Sequence, residues 1–492
     1  MASPIHALPL DLFRILAGLV GLAYFLRILY DAPDLTSQDG LIDHRLCRRV
    51  FPPTRMTLFH PRLPSWLYRP VFAVACLAAV FVVVGYHPRI SAVFMYLVAV
   101  STYRWNLFAV YVDDAIAHLT VHWLALLPVG RTLTITGWVN EGSASLDAWS
   151  SVTVSGASTR ALMANLALVY VVAGLYKFSS PMWRDGTALH AILRMPISRF
   201  PDVWKESHGP LLRAANYWAL MVEPLLAFMF IAPANSLLKW VLVLCALAFH
   251  LGIIATLKIP FANLAMLGAV PLALAPEFMQ GSFGRPPPTH IASGEPAVTG
   301  LLAWGLVAIL ILMVLLEVLR SWNLNGTPLW KTHISGFLRN PIYVLLWLVG
   351  IAQSYRLFDW IDSRNYHVRY EVHTYRSESP DEPNVVDPAE VFPRSLRHLL
   401  LQSYLVGSVW LQLEPEDLQE LRASLMTRHA QRFARRYPEA CTVEVHATTQ
   451  RVTSDNLGLR RGRRFLFMRF SCDNGEAVME FMADGPPRTA EA

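Results

Sequence analysis

Long apolar segments alternate with short polar ones over the first three quarters of the chain. A helix needs about 20 mostly apolar residues to cross the hydrocarbon core of a bilayer. Segments of roughly this kind predict membrane-spanning helices over residues 8–30, 68–86, 90–105, 113–130, 160–178, 212–233, 236–257, 260–276, 299–320 and 340–357. Two of them are short enough to be re-entrant, so we expect an all-α polytopic bundle of about eight to ten spans.

The pattern changes abruptly after Phe358, where charged residues replace the apolar runs. Alternating side chains predict a strand over 366–375, and a segment rich in Pro and Glu predicts a loop over 377–390. Further periodicity predicts helices at 393–406 and 415–436 and strands at 442–450, 464–471 and 476–482. We therefore expect two domains, a transmembrane domain at 1–357 and a small soluble α+β domain at 358–492.

Composition supports a bilayer as the solvent. Hydrophobic residues make up 54% of the 492 residues and charged residues only 16%, which is more apolar surface than one water-soluble core can bury. The net charge is +6, but no dense basic tract accompanies it, so we expect membrane lipids and not nucleic acid as partners. Apolar residues run from Leu8 to Tyr30 without a positive region or cleavage site before them, which predicts a retained first span.

The five cysteines are scattered, at 47, 76, 245, 441 and 472, with no CxxC pair for zinc or thiol exchange. One disulfide is compatible with this spacing, and a disulfide framework is not.

Three polar residues share one face of the predicted helix at 113–130. Asp114, His118 and His122 follow one another at intervals of four, which suits two imidazole ligands and a carboxylate ligand of a metal. The alternative is a hydrogen-bonded polar stripe that lines a cavity, and we favour it because no second His pair accompanies the three residues.

Ionisable residues inside a membrane are costly and are therefore functional candidates. Lys177 lies at the end of an apolar segment. It is therefore either a desolvated base or a side chain that reaches to the lipid headgroups. His250 lies deep in another run, where a catalytic role and a helix-to-helix hydrogen bond have comparable weight. Glu223 precedes Pro224 and is expected to pair with a buried cation.

Several segments, in order, resemble the horizontally transferred transmembrane domain family, whose best-characterised members are the vitamin K-dependent gamma-carboxylases. The segments are LDLFRILAGLVGLAYFLRILYD, GLIDHRLCRRVFPP, STYRWNLFAVYVDDAIAHLTVHWLALLP, YVVAGLYKFSSPMWRDGTAL, AFHLGIIATLKIPFANLAMLG and, more weakly, GIAQSYRLF. The fourth is most similar to the family signature, an aromatic residue, small residues, a Lys, then Trp and Gly. The resemblance covers residues 8–275 and extends more weakly to about 375.

The resemblance implies roles for particular residues. The residue matching Lys177 is the base that deprotonates reduced vitamin K in the carboxylases, and the residue matching His250 belongs to their active site. It implies reduced vitamin K or another quinol as cofactor, with no metal, and carboxylation of an unidentified peptide, protein or small-molecule substrate. We expect the pocket to include Asn106, Asp114, His118, His122, Trp183 and Glu223.

The chain also departs from the carboxylases. Where they carry a His in the polar helix, it has Asn106, and a short α+β segment replaces their large C-terminal region. We therefore expect a bacterial inner-membrane protein with a quinol-dependent proton abstraction. A non-enzymatic scaffold or lipid-binding protein that recruits a partner through its C-terminal domain is the alternative, and a metal-dependent oxidase built on Asp114, His118 and His122 is a third.

Overall fold

The computed structural model describes a helical region followed by a smaller region of sheet and helix. It covers residues 3–50, 57–105, 112–141, 152–195, 197–283, 290–291, 297–321, 341, 346, 366–376, 379–393, 398, 415–439, 441–451 and 463–483. The predicted span at 340–357 and the predicted helix at 393–406 lie almost entirely outside these residues, and Asn106 lies outside them too.

The helical region consists of fifteen helices within these ranges. They are α1 Ala7–Leu35, α2 His44–Val50, α3 Tyr68–Val84, α4 Pro88–Trp105, α5 Val112–Leu126, α6 Ile135–Glu141, α7 Ala157–Ser179, α8 Pro181–Arg184, α9 Ala188–Arg194, α10 Gly209–Leu225, α11 Leu237–Thr256, α12 Pro260–Gly268, α13 Val270–Ala273, α14 Ala275–Met279 and α15 Ala297–Ser321. Three short strands, β1 Pro4–His6, β2 Val152–Ser155 and β3 His290–Ile291, form a small sheet in that order.

In the described part of the chain, five stretches of helix are long and apolar enough to cross a membrane. They are Ala7–Leu35, Ala157–Ser179, Leu237–Thr256, Pro260–Met279 and Ala297–Leu315.

Two predicted spans are less regular than the sequence suggested. The helix expected over 260–276 is divided into α12, α13 and α14, since Pro271 and Pro276 lack the amide hydrogen that a continuous helix needs. The helix expected over 212–233 ends at Leu225 and continues as a 3-10 turn, Leu226–Phe230.

Helix α11 has its polar residues inside and its apolar residues outside. Lys239 and His250 are buried in the bundle. The opposite face exposes large apolar side chains, at Leu237, Leu238, Val241, Leu244 and Leu251. A helix at a water-exposed surface has the reverse arrangement, so this distribution suits contact with lipid.

The C-terminal region is a five-stranded antiparallel sheet packed against one helix. The strands are β4 Tyr366–Arg376, β5 Ser379–Val386, β6 Cys441–Arg451, β7 Arg463–Asp473 and β8 Glu476–Met482, and the helix is α16 Pro415–Arg436. The sheet order is β5-β4-β6-β7-β8. Alternate residues such as Val372, Val445 and Phe470 point into the core beneath α16, as a two-residue period requires.

The prediction of a loop over 377–390 was wrong. Residues 379–386 form β5, which pairs with β4 at the edge of the sheet. The Pro residues that suggested a loop are tolerated there, because an edge strand leaves one side without ladder hydrogen bonds.

The segment after α1 joins the two regions. Leu41, Ile42 and Leu46 belong to the same apolar core as α16 and the large sheet. The Arg428 guanidinium donates from Nη1 to the carbonyl oxygens of Gln38 and Gly40, each at 2.7 Å. The C-terminal domain therefore rests on the bundle through residues that follow its first helix.

Candidate functional site

Lys177 and Glu223 form a buried ion pair between α7 and α10. The Lys177 Nζ donates to Glu223 Oε2, and the two side chains are only 5% and 6% exposed. Lys177 thus does not reach the surface of the bundle, although it lies in the last turn of α7. A buried ammonium needs an opposite charge, and Glu223 supplies it.

Two neighbouring residues let the helices come close enough for this pair. A Cβ added to Gly174 would lie 2.7 Å from Pro224 Cδ, so only glycine fits where the helices touch. Gly174 precedes Lys177 by one turn, and Pro224 directly follows Glu223. The contact between the small residue and the proline ring therefore fixes the distance between the two charged side chains.

An aromatic ring covers the cation. The Lys177 Nζ lies 5.4 Å from the ring centroid of Trp183, within the range of a cation–π interaction. Trp183 is buried in α8, which begins two residues after α7 ends. Its carbonyl oxygen accepts a hydrogen bond of 2.8 Å from Asn216 Nδ2, which ties α8 to α10.

His250 is the middle of a hydrogen-bonded chain. The Tyr170 hydroxyl lies 2.7 Å from His250 Nε2, and His250 Nδ1 lies 2.8 Å from Asn263 Oδ1. Asn263 Nδ2 donates to the Ile259 carbonyl, so its oxygen must face the imidazole as an acceptor. A neutral His250 therefore carries its proton on Nδ1, and its Nε2 accepts from Tyr170.

The ion pair and the hydrogen-bonded chain belong to one site. Tyr170 and Lys177 are seven residues apart on α7, two turns along one face. Lys177 interacts electrostatically with His250, and Glu223 does so with Tyr170. We call the set of six side chains the Lys177 centre, and its members are Lys177, Glu223, Trp183, Tyr170, His250 and Asn263.

Tyr170 and Asn263 were missed at the sequence level. Each lies in a mainly apolar segment, and the spacing of Tyr170 from Lys177 already placed both residues on one helical face. This spacing could have identified Tyr170, but buried tyrosines are common and do not by themselves indicate a functional site. The partner of a side chain across two helices depends on how the helices pack.

Two of the polar residues on α5 contact α1 and α4. Asp114 and His118 are buried, and the Tyr24 hydroxyl of α1 lies 2.9 Å from His118 Nε2. His122 instead packs with its ring centroid 5.0 Å from that of Tyr96. Tyr24 and His118 border a cavity of about 10 Å³, room for at most one water molecule. Across the described ranges, no three His, Cys, Asp or Glu side chains gather as metal ligands.

Two further buried ion pairs were not anticipated. Lys239 Nζ lies 3.1 Å from Glu277 Oε1, with both side chains fully buried, and it links the start of α11 to α14. Arg14 Nε lies 2.8 Å from Asp11 Oδ1 on α1. The Asp11 carboxylate also accepts hydrogen bonds from the segment at 130–132. These pairs join helices to neighbouring segments.

Comparison with known proteins gave no match: no protein-family model, curated protein or solved structure is similar to the chain.

Proposed function

We propose that the chain is a multi-pass protein of the bacterial inner membrane, and that its Lys177 centre removes a proton from a quinol. The observation that carries the proposal is the burial of Lys177 against Glu223, beside the chain from Tyr170 through His250 to Asn263. The membrane location is supported by the five long apolar helices and by the exposed apolar face of α11.

Lys177 acts as the base after giving up its own proton. Glu223 is the group placed to take this proton, because its Oε2 already accepts the hydrogen bond from Nζ. Away from water, the charged pair loses much of its advantage over the neutral pair of amine and carboxylic acid. The pair can therefore present a neutral amine without releasing a proton to solvent.

His250 positions a second proton-carrying group. Its Nε2 holds the Tyr170 hydroxyl, while Asn263 fixes the ring in the tautomer that leaves Nε2 free to accept. Protonation of Nε2 would turn it into a donor, so the ring can take up a proton through Tyr170. This gives the centre a second place to hold a proton near Lys177.

The residues present suit a quinol in chemical character. Trp183 offers an aromatic face, and Lys177 offers polar hydrogens to a ring oxygen. The Tyr170 oxygen, whose own hydrogen goes to His250, can accept a hydrogen bond from a quinol hydroxyl. A quinol supplies an acidic hydroxyl group, and its deprotonation starts carboxylation in the family that the sequence resembles. We propose carboxylation of an unidentified substrate on this basis.

The test is turnover of supplied quinol by the full-length protein in detergent with oxygen and labelled bicarbonate present. We expect Lys177→Met to abolish quinol oxidation and any incorporation of label, whereas Lys239→Met, which breaks the other Lys–Glu pair, retains turnover for the fraction of protein that remains folded. Equal turnover in folded Lys177→Met and the wild type would overturn the proposal.

The rival is a scaffold or lipid-binding protein, in which the buried polar groups only determine packing. It predicts no quinol turnover in the wild type and similar losses of stability from both Lys variants. The paired variants therefore separate the two functions, since only an enzyme distinguishes Lys177 from Lys239.

A further inference from the structure

Two free cysteines face each other in the C-terminal sheet. Cys441 is the first residue of β6, and its direct cross-strand partner is Cys472 on β7. The other three cysteines lie on α2, α3 and α11, outside this sheet.

The register of the two strands permits a direct bond between the sulfur atoms. Directly opposed residues in an antiparallel pair have Cα atoms about 4.5–5.5 Å apart. Disulfides join Cα atoms about 4.4–6.8 Å apart, so the backbone would not have to move far.

The two thiols differ in reactivity. Cys441 is partly exposed and Cys472 is buried. Interaction with the neighbouring Cys472 thiol lowers the pKa of Cys441 to about 7, while interaction with Cys441 and burial raise the pKa of Cys472. A thiolate is the attacking species in thiol–disulfide exchange. Cys441 therefore has the features of the attacking residue, and Cys472 those of the resolving one.

We propose that Cys441 and Cys472 form a reversible dithiol–disulfide site that reacts with low-molecular-weight disulfides such as oxidised glutathione. The Cys441 thiolate attacks one sulfur of that disulfide, its S–S bond breaks, and the first glutathione leaves as a thiolate. Cys472 then passes its proton to that thiolate and attacks Cys441, which expels the second glutathione. Two protein thiols are oxidised and one small disulfide is reduced to two thiols.

The bond would fasten the start of β6 to the end of β7. Cys472 belongs to the apolar core that the sheet shares with α16 and with the segment after α1. Oxidation therefore changes a residue of this shared core. The site is independent of the Lys177 centre, and its test does not require quinol turnover.

The test uses the full-length protein in detergent, equilibrated with mixtures of reduced and oxidised glutathione. Remaining thiols are blocked by alkylation, and the digested protein is mapped by mass spectrometry. We expect a cross-linked peptide containing Cys441 and Cys472 to appear as the oxidised fraction rises and to disappear on return to reduced glutathione. The matched control is Cys245→Ala, which removes a thiol elsewhere and should leave the cross-link unchanged.

Single variants test the order of attack. Glutathione should add to Cys441 in the Cys472→Ser protein at least about tenfold faster than to Cys472 in the Cys441→Ser protein, because only the first thiol is both accessible and ionised near neutral pH. Equal rates, or the absence of the cross-link at every glutathione ratio in the wild type, would overturn the proposal. The peptide map of the wild-type protein tests for the disulfide even if a serine variant does not fold.

Discussion

Arg14 shows how a single buried charge can hold several segments together. Its guanidinium is fully buried beside Asp11 and donates to the carbonyl oxygens of Val82, Val83 and Leu133. Those carbonyls lie at the end of α3 and in the loop that precedes α6. One side chain of α1 thus donates to carbonyl oxygens at the end of one helix and in a loop.

Replacement of Arg14 by Ala should lower the free energy of unfolding by about 3–5 kcal/mol, since it removes the cation beside the buried Asp11 carboxylate and a donor from several buried carbonyls. Arg49 is the control, because both side chains of its ion pair with Glu420 are exposed, by 62% and 53%. Arg49→Ala should lower the free energy of unfolding by about 1 kcal/mol or less. Unfolding in mixed detergent micelles measures both, and equal losses would contradict this account of Arg14.

The residues of the Lys177 centre were only partly predictable. Lys177, His250, Glu223 and Trp183 were identified as candidates because charged and polar groups stand out in apolar runs or match the family signature. The structure places these four together with Tyr170 and Asn263, whereas His118 contacts Tyr24 and His122 packs against Tyr96. Sequence spacing assigns residues to a face of one helix, whereas the choice of partner comes from the neighbouring helix.

At the scale of elements, Gly174 sets the separation of α7 and α10. Its missing side chain lets the Pro224 ring approach the α7 backbone. Proline is rigid, so neither partner can yield by a rotamer change.

Gly174→Ala should therefore push the helices apart, lower stability by about 1–3 kcal/mol and weaken the Lys177–Glu223 pair. Gly252 in α11 is the matched control, since an added Cβ there would meet no atom within 4 Å. Gly252→Ala should be neutral, or more stable by up to about 1 kcal/mol, because alanine favours helix. Both variants are compared with the wild type in their free energy of unfolding and in their quinol turnover. Equal stability and equal turnover in the two variants would contradict a role of the Gly174–Pro224 contact in setting the helix separation.

Element bounds were predictable where the apolar run was continuous. Helices α1, α7, α11 and α15 fall close to the predicted spans at 8–30, 160–178, 236–257 and 299–320. The helix break after Gly268 was not predicted, because apolar side chains continue through it while Pro271 interrupts the backbone. Strand β5 was missed for the opposite reason, since its composition is polar and rich in proline.

At the scale of the whole molecule, two buried imidazoles lie near the junction of the domains. His44 in α2 stacks on Trp105 with ring centroids 4.0 Å apart. His429 in α16 packs against Phe392, with its Nδ1 3.0 Å from the Val391 carbonyl oxygen. Burial lowers the pKa of both His44 and His429 to about 3.

Acid should therefore destabilise the junction. The unfolded chain takes up protons on these residues below about pH 6.5, while the folded protein does not until about pH 3, so stability falls as pH decreases through this window. Each residue contributes up to about 1.4 kcal/mol per pH unit. Thermal unfolding between pH 7 and pH 4.5 should show the loss, and His429→Gln should reduce its slope. An identical slope in the variant would contradict a neutral buried His429.

The most direct test of the central claim is mass spectrometry of small molecules extracted from the purified full-length protein. The Lys177 centre predicts a quinone that accompanies the wild type and the folded Lys239→Met control, and that is depleted from folded Lys177→Met and His250→Gln proteins. Absence of a quinone from the wild type, together with failure to bind or oxidise a supplied quinol, would contradict the proposed function and favour a scaffold or lipid-binding protein.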